Sequence, residues 1–162
     1  MNEISQRRFF DYLHKNGIKR FLGVPDSTMK HFIDQGLKKK KILITTREEE
    51  AIGIASGVSL SGSKCVIFMQ NAGFANSIST ITSLVQMYRI PIIFLIGWRG
   101  YLSTDAPEHL HIGSIQKELL SLVDLKSKIV SDDNWKKQCD WALKNLEKKN
   151  SCALIIRREF ND

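Results

Sequence analysis

Apolar positions along the chain alternate between two rhythms, one recurring every three to four residues and one forming short unbroken runs. The first predicts helices at residues 3–16, 28–37, 48–60, 75–88, 113–123 and 133–149. The opening helix is expected to stop at Asn16-Gly17, a pair that ends helices readily. The second rhythm predicts strands at 18–23, 42–45, 65–69, 91–97, 128–130 and 152–157. Cys65-Val66-Ile67-Phe68-Met69 and Pro91-Ile92-Ile93-Phe94-Leu95-Ile96 are apolar throughout, the pattern of strands covered on both faces. Polar residues collect at 70–74 and at 98–112, which read as loops.

Strands spaced by helices imply βαβ units, hence a three-layer α/β/α fold with a mostly parallel sheet. No linker, repeat or low-complexity tract interrupts the pattern, so residues 1–162 are expected to form a single domain. In such sheets ligands bind beyond the carboxyl ends of the strands. Four polar loops are expected there, at 23–27, 46–48, 70–76 and 98–111.

Composition narrows the functions. The net charge of +7 invites a nucleic-acid reading, but apart from Lys38–Lys41 the basic residues are scattered and no aromatic residues interleave with them. Nucleic-acid binding is therefore not expected, whereas attraction of small anions fits the charge. Cys65, Cys139 and Cys152 have no spacing suited to zinc or to a redox pair and read as reduced thiols of a cytoplasmic protein. No apolar run reaches the length of a membrane span, and the polar start is not expected to act as a signal peptide.

The densest chemical signal is Thr46-Arg47-Glu48-Glu49-Glu50 at the head of an otherwise small and apolar helix. Acids in a first turn complement the helix dipole by about 0.3–1 kcal/mol each. The same position, where a sheet edge meets a buried helix, also suits a catalytic carboxylate. Asp26 and Ser27 sit between a strand and a helix, as an N-cap or as site residues. Gln70-Asn71-Ala72-Gly73 joins strand to helix without the glycine pattern of a dinucleotide loop or the lysine of a phosphate loop. In the 98–111 segment, Arg99 offers a bidentate fork for an anion. His109 and His111 suggest metal ligands by proximity, but with no third ligand evident, proton transfer or anion contact is preferred. No nucleophile with an adjacent base is present.

Taken in order, Phe21-Leu22-Gly23-Val24-Pro25-Asp26-Ser27, Thr46-Arg47-Glu48-Glu49-Glu50, Met69-Gln70-Asn71-Ala72-Gly73, Tyr88-Arg89-Ile90-Pro91 and Gly97-Trp98-Arg99-Gly100 resemble the pyrimidine-binding domain of thiamine-diphosphate-dependent 2-oxo acid decarboxylases. Within them, the likeness is to sulfopyruvate decarboxylase α subunits and the matching half of phosphonopyruvate decarboxylases. The resemblance implies that Glu48, placed three residues before Ala51 and nine before Gly57, hydrogen-bonds N1′ of the cofactor's aminopyrimidine and so activates it. It further implies that Ser27 faces the reacting substrate with Asp26 beside it, both in the catalytic set, and that Gln70, Asn71, Gly73 and Asn76 line the cofactor or the rim of the same pocket. Arg99 and His109 are implied contacts for the substrate's distal anion. Some relatives carry a histidine where Met69 stands here, so their protonation chemistry does not transfer.

The family's Gly-Asp-Gly motif, which holds magnesium and diphosphate, is missing from this sequence, and no metal ligands are expected in this chain. The resemblance therefore implies a β subunit that supplies Mg2+ and the diphosphate site, in a hetero-oligomer with two or more copies of each chain. The expected substrate is 3-sulfopyruvate or 3-phosphonopyruvate, yielding an aldehyde and carbon dioxide. An acetolactate-type carboligase subunit and a non-catalytic regulatory subunit of the same fold are the alternatives.

Overall fold

The structure is a computed structural model and describes residues 1–157; residues 158–162 of the expected domain lie outside the described residues. In chain order the elements are α1 (Glu3–Lys15), β1 (Ile18–Gly23), a 3-10 turn (Ser27–Met29), α2 (Lys30–Lys38), β2 (Ile42–Ile44), α3 (Glu48–Leu60) and β3 (Lys64–Gln70). There follow α4 (Asn71–Asn76), α5 (Ile78–Thr80), a π-helical stretch (Ile81–Gln86), β4 (Ile93–Trp98), α6 (Pro107–Ser114), α7 (Gln116–Leu122), β5 (Ser127–Val130), α8 (Trp135–Glu147) and β6 (Cys152–Arg157). All six strands pair in parallel in the order β2-β1-β3-β4-β6-β5.

That order reverses between β1 and β3, and the reversal sends α2 and α3 to opposite faces of the sheet. One apolar layer joins α1, α2 and α8 to Val66, Phe68, Ile93 and Leu95. The other joins α3, the π-helical stretch and α7 to Ile67, Met69, Phe94 and Ile96. The two unbroken apolar runs thus feed alternate side chains into both layers, which is why neither shows a polar face. The first layer is anchored by aromatic rings: Phe10 lies 4.3 Å from Phe21 and 5.2 Å from Phe32, centroid to centroid.

The helix boundaries depart from the sequence pattern in three places. The expected loop at 70–74 turns helical at Asn71, directly after β3. The expected helix at 75–88 is broken, because Ser77, Thr82 and Ser83 each donate a hydroxyl to a carbonyl three or four residues back. Those bonds compete with the regular ladder, and the backbone widens to π geometry. The expected polar loop at 98–112 contains α6, opened by Pro107 in the first turn, where proline's missing N–H costs nothing.

A strand-order reversal leaves a crevice at the carboxyl ends of the flanking strands. Here it falls between the segment after β1, with Asp26 and Ser27, and the segment after β3, with Gln70 and Asn71. Replacing Phe10, which is fully buried in the aromatic cluster, by alanine is expected to cost about 3–5 kcal/mol in equilibrium urea unfolding. A cost below about 1 kcal/mol would show that the cluster does not anchor this layer.

Candidate active site

The three acids at the head of α3 have three different environments. Glu50 turns back on the preceding segment and accepts hydrogen bonds from the Thr46 N–H at 2.9 Å and the Thr46 hydroxyl at 3.0 Å. These bonds, the backbone one foremost, hold its carboxyl below the usual range. Glu49 lies 3.7 Å from the exposed Arg47 guanidinium. Glu48 has no hydrogen-bond or ion-pair partner among the described residues, yet is half-buried. Its carboxylate lies over Gly73 in α4, so closely that a Cβ at that position would overlap it. Local partners therefore account for Glu50 and Glu49, while Glu48 is left as an unpartnered acceptor at the rim.

A second carboxylate enters from the segment after β1. Asp26 is buried, accepts the Thr28 N–H at 3.4 Å and the Thr28 hydroxyl in a short bond, and caps the 3-10 turn. It reaches across the end of β3 to β4, where it fills the space above Gly97 that any side chain there would occupy. Ser27, the next residue, is exposed.

Arg99 leaves the end of β4 fixed at both ends. Its backbone N–H donates to Asn71 Oδ1 at 3.3 Å, and its carbonyl accepts from Asn71 Nδ2 at 2.9 Å. Its guanidinium grips Asp105 through Nε at 3.0 Å and Nη2 at 2.7 Å, while Nη1 lies 3.4 Å from the Ser27 hydroxyl. Asp105 also accepts the N–H groups of Gly100 and Ala106, at 2.8 and 2.9 Å. Arg99, through its hydrogen bonds, is the main reason the Asp105 carboxyl sits well below the usual carboxylate range. The same bonds hold the Arg99 guanidinium above its ordinary value.

The geometry thus draws Asp26, Ser27, Asn71 and Arg99 into one cluster and sets Glu48 against Gly73 two residues beyond Asn71. Asn71 is fully buried with its amide committed to Arg99, so it acts as a strut between β3 and β4. Gln70 is half-buried at the end of β3, and Asn76 is exposed at the end of α4. His109 and His111 lie two residues apart on α6, about 200° around the helix, so they cannot ligate one ion together. Among the described residues no three His, Cys, Asp or Glu side chains meet as a metal set. In the sequence Asp105 is one polar residue of the 98–111 segment, and a carboxylate six residues after an arginine carries no signature of a clamp.

Residues 6–125 match the family of thiamine pyrophosphate enzymes, N-terminal TPP binding domain. The chain belongs to that family. It is similar to the sulfopyruvate decarboxylase subunit alpha of Methanococcus maripaludis, 37% identical over 68% of this chain and 67% of the relative. It is also similar to the phosphonopyruvate decarboxylase of Streptomyces viridochromogenes, 32% identical over 72% of this chain but 30% of the relative. Among solved structures, a 2-oxoglutarate:ferredoxin oxidoreductase from Magnetococcus marinus superposes with a TM-score of 0.70 at 16% identity, over 97% of this chain and 29% of that one, which shows the shared fold.

The residues fit the aminopyrimidine end of the family's cofactor. Among the described residues, Glu48 offers an unpartnered, half-buried carboxyl over a glycine, and the buried Thr45 hydroxyl three residues earlier also lacks a partner.

The Arg99–Asp105 pair gives stability a defined pH dependence. A carboxyl whose pKa is lowered on folding contributes fully above its unfolded value and loses that contribution as pH falls toward the folded value. The unfolded value is about 3.9. In urea unfolding, Asp105→Asn should therefore be less stable than the parent at pH 7, with a smaller gap at pH 3. An equal gap at both values would show that ionisation of Asp105 contributes nothing.

Proposed function

We propose that this chain is the pyrimidine-binding α subunit of a split thiamine-diphosphate-dependent decarboxylase acting on a short 2-oxo acid with a second anion, 3-sulfopyruvate or 3-phosphonopyruvate. The observation that carries the proposal is the isolation of Glu48 from the helix-start duties taken by Glu50 and Glu49. Thiamine diphosphate, when bound, supplies the carbon nucleophile that attacks the keto carbon and the electron sink that lets carbon dioxide leave.

The protein's part is position, protonation and charge. Glu48, its carboxyl seated against Gly73, would hold the aminopyrimidine by sharing a proton with N1′. Gln70 and Asn76 lie on the same rim and bound the cofactor's pocket, while Asn71 keeps that rim in register with β4. Ser27 faces the substrate by its exposed hydroxyl, with the buried Asp26 beside it. Arg99 meets the distal anion together with His109, which is half-buried on α6.

The diphosphate and its Mg2+ are held by a β subunit, in a complex with two or more copies of each chain. The named subunit status of the sulfopyruvate relatives supports a partner. So does the outer face of α3: Gly53 and Gly57 are exposed with open space around them, and Ile54 and Leu60 are exposed nearby. Two glycines inside a solvated helix would cost about 1 kcal/mol each, which a close-packed partner offsets. Among the described residues no helix is long and apolar enough to cross a membrane. All three cysteines are buried and free, which suits a reducing, cytoplasmic setting.

With the assembled complex, Glu48→Gln should lower kcat by at least about a hundredfold while the subunits still co-elute on size exclusion. Near-parental turnover would sink the assignment of Glu48. Product analysis addresses the reaction itself: free aldehyde supports the decarboxylase, whereas a hydroxyketone would point to a carboligase. A second variant checks the seat of the carboxylate. Gly73→Ala places a methyl where the Glu48 carboxyl lies, and that flexible group must move. Turnover should fall about tenfold or more with only a small change in Tm; full activity would mean that the carboxylate is not used in this position.

A further inference from the structure

Arg99 carries the proposed distal-anion contact, and the structure raises the question of what aims it. An unrestrained arginine gives up much rotamer freedom when it is ordered by a ligand. Here little of that freedom remains. Asn71 holds the backbone on both sides, and Asp105 takes the side-on edge of the guanidinium, Nε and Nη2. Asp105 is itself fixed: its side chain is 1% exposed and it accepts the Gly100 and Ala106 N–H groups.

The consequence is directional. A planar guanidinium has two edges that can grip an oxyanion, and Asp105 occupies one. The remaining end-on edge carries Nη1, which lies 3.4 Å from the exposed Ser27 hydroxyl. Asp105 also compensates the arginine's charge, and the buried Asp26 lies close enough to act on it electrostatically. An incoming anion therefore meets directed donors and little net positive charge.

We propose that Asp105 is a positioning residue for substrate specificity: by clamping the side-on edge of Arg99 it presents the end-on edge, beside the Ser27 hydroxyl, to the second oxyanion of the substrate. The proposal rests on the reading of Arg99 as the distal-anion contact. The two fail differently. Loss of the arginine tests the reading, and loss of the clamp with the arginine retained tests the proposal.

The test uses the complex of both subunits with 3-sulfopyruvate and 3-phosphonopyruvate. Arg99→Ala should raise KM for the anionic substrate by about tenfold or more, the loss expected for a charge-assisted hydrogen bond. An unchanged KM would overturn the reading of Arg99 and the proposal with it. Asp105→Asn should also raise KM by about tenfold with a smaller effect on kcat; a parental KM beside a raised KM in Arg99→Ala overturns the proposal alone. A purely structural role is separated by chemical rescue. Millimolar methylguanidinium should restore activity to Arg99→Ala but not to Arg99→Ala/Asp105→Asn, and equal rescue in both overturns the clamp. If the asparagine variants do not assemble, Asp105→Glu keeps the charge but moves it by one methylene. It should raise KM at nearly constant kcat, and a parental KM there overturns the proposal.

Discussion

Two carboxylates at the carboxyl edge of the sheet occupy space that only glycine leaves open. Glu48 lies over Gly73 and Asp26 over Gly97, and a Cβ at either glycine would collide with the acid above it. Each contact spans the sheet order: Glu48 comes from the β2 side to the helix after β3, and Asp26 comes from β1 to the end of β4. The rim is therefore a set of interlocked strand ends rather than four independent loops. Shifting one strand end by an ångström would misplace an acid contributed by another, and the chemistry of such sites tolerates little displacement.

What keeps those strand ends in register is the doubly covered sheet. β3 and β4 send alternate side chains into two apolar layers, so any slip by one residue would exchange the layers' contents. The Asn71 amide then ties the end of β3 to the first residue beyond β4. Burial of the core and polarity of the rim are in this sense one arrangement. The apolar layers fix the frame, and the polar groups that cannot enter them collect where the strands run out.

The electrostatics of the rim follow the same division. Acids with local partners, Glu50 and Asp105, are held below their ordinary range by the donors they accept. Glu48 has no such donor among the described residues, and an unpartnered half-buried carboxyl is costly unless something completes it. A ligand and a partner chain both do so. That the incomplete groups gather on one rim, while α3 leaves two glycines bare beside it, gives the split-subunit reading its physical basis.

The sequence by itself determined the alternation of helices and strands, the parallel sheet and the family, because periodicity and the Glu48 spacing are local properties of the chain. It also placed Asp26, Ser27, Gln70 and Arg99 near strand ends. It did not separate Glu48 from Glu49 and Glu50 by environment, did not assign Asp105 a partner, and gave no sign that Asn71 ties the end of β3 to Arg99. Helix ends around 71–88 and 107–114 were equally out of reach, since hydroxyl back-bonds and a proline start compete with periodicity there. Those outcomes were decided by the tertiary structure, because they depend on which residue crosses the sheet to fill the space above a glycine, and that contact has no trace in the order of neighbours along the chain.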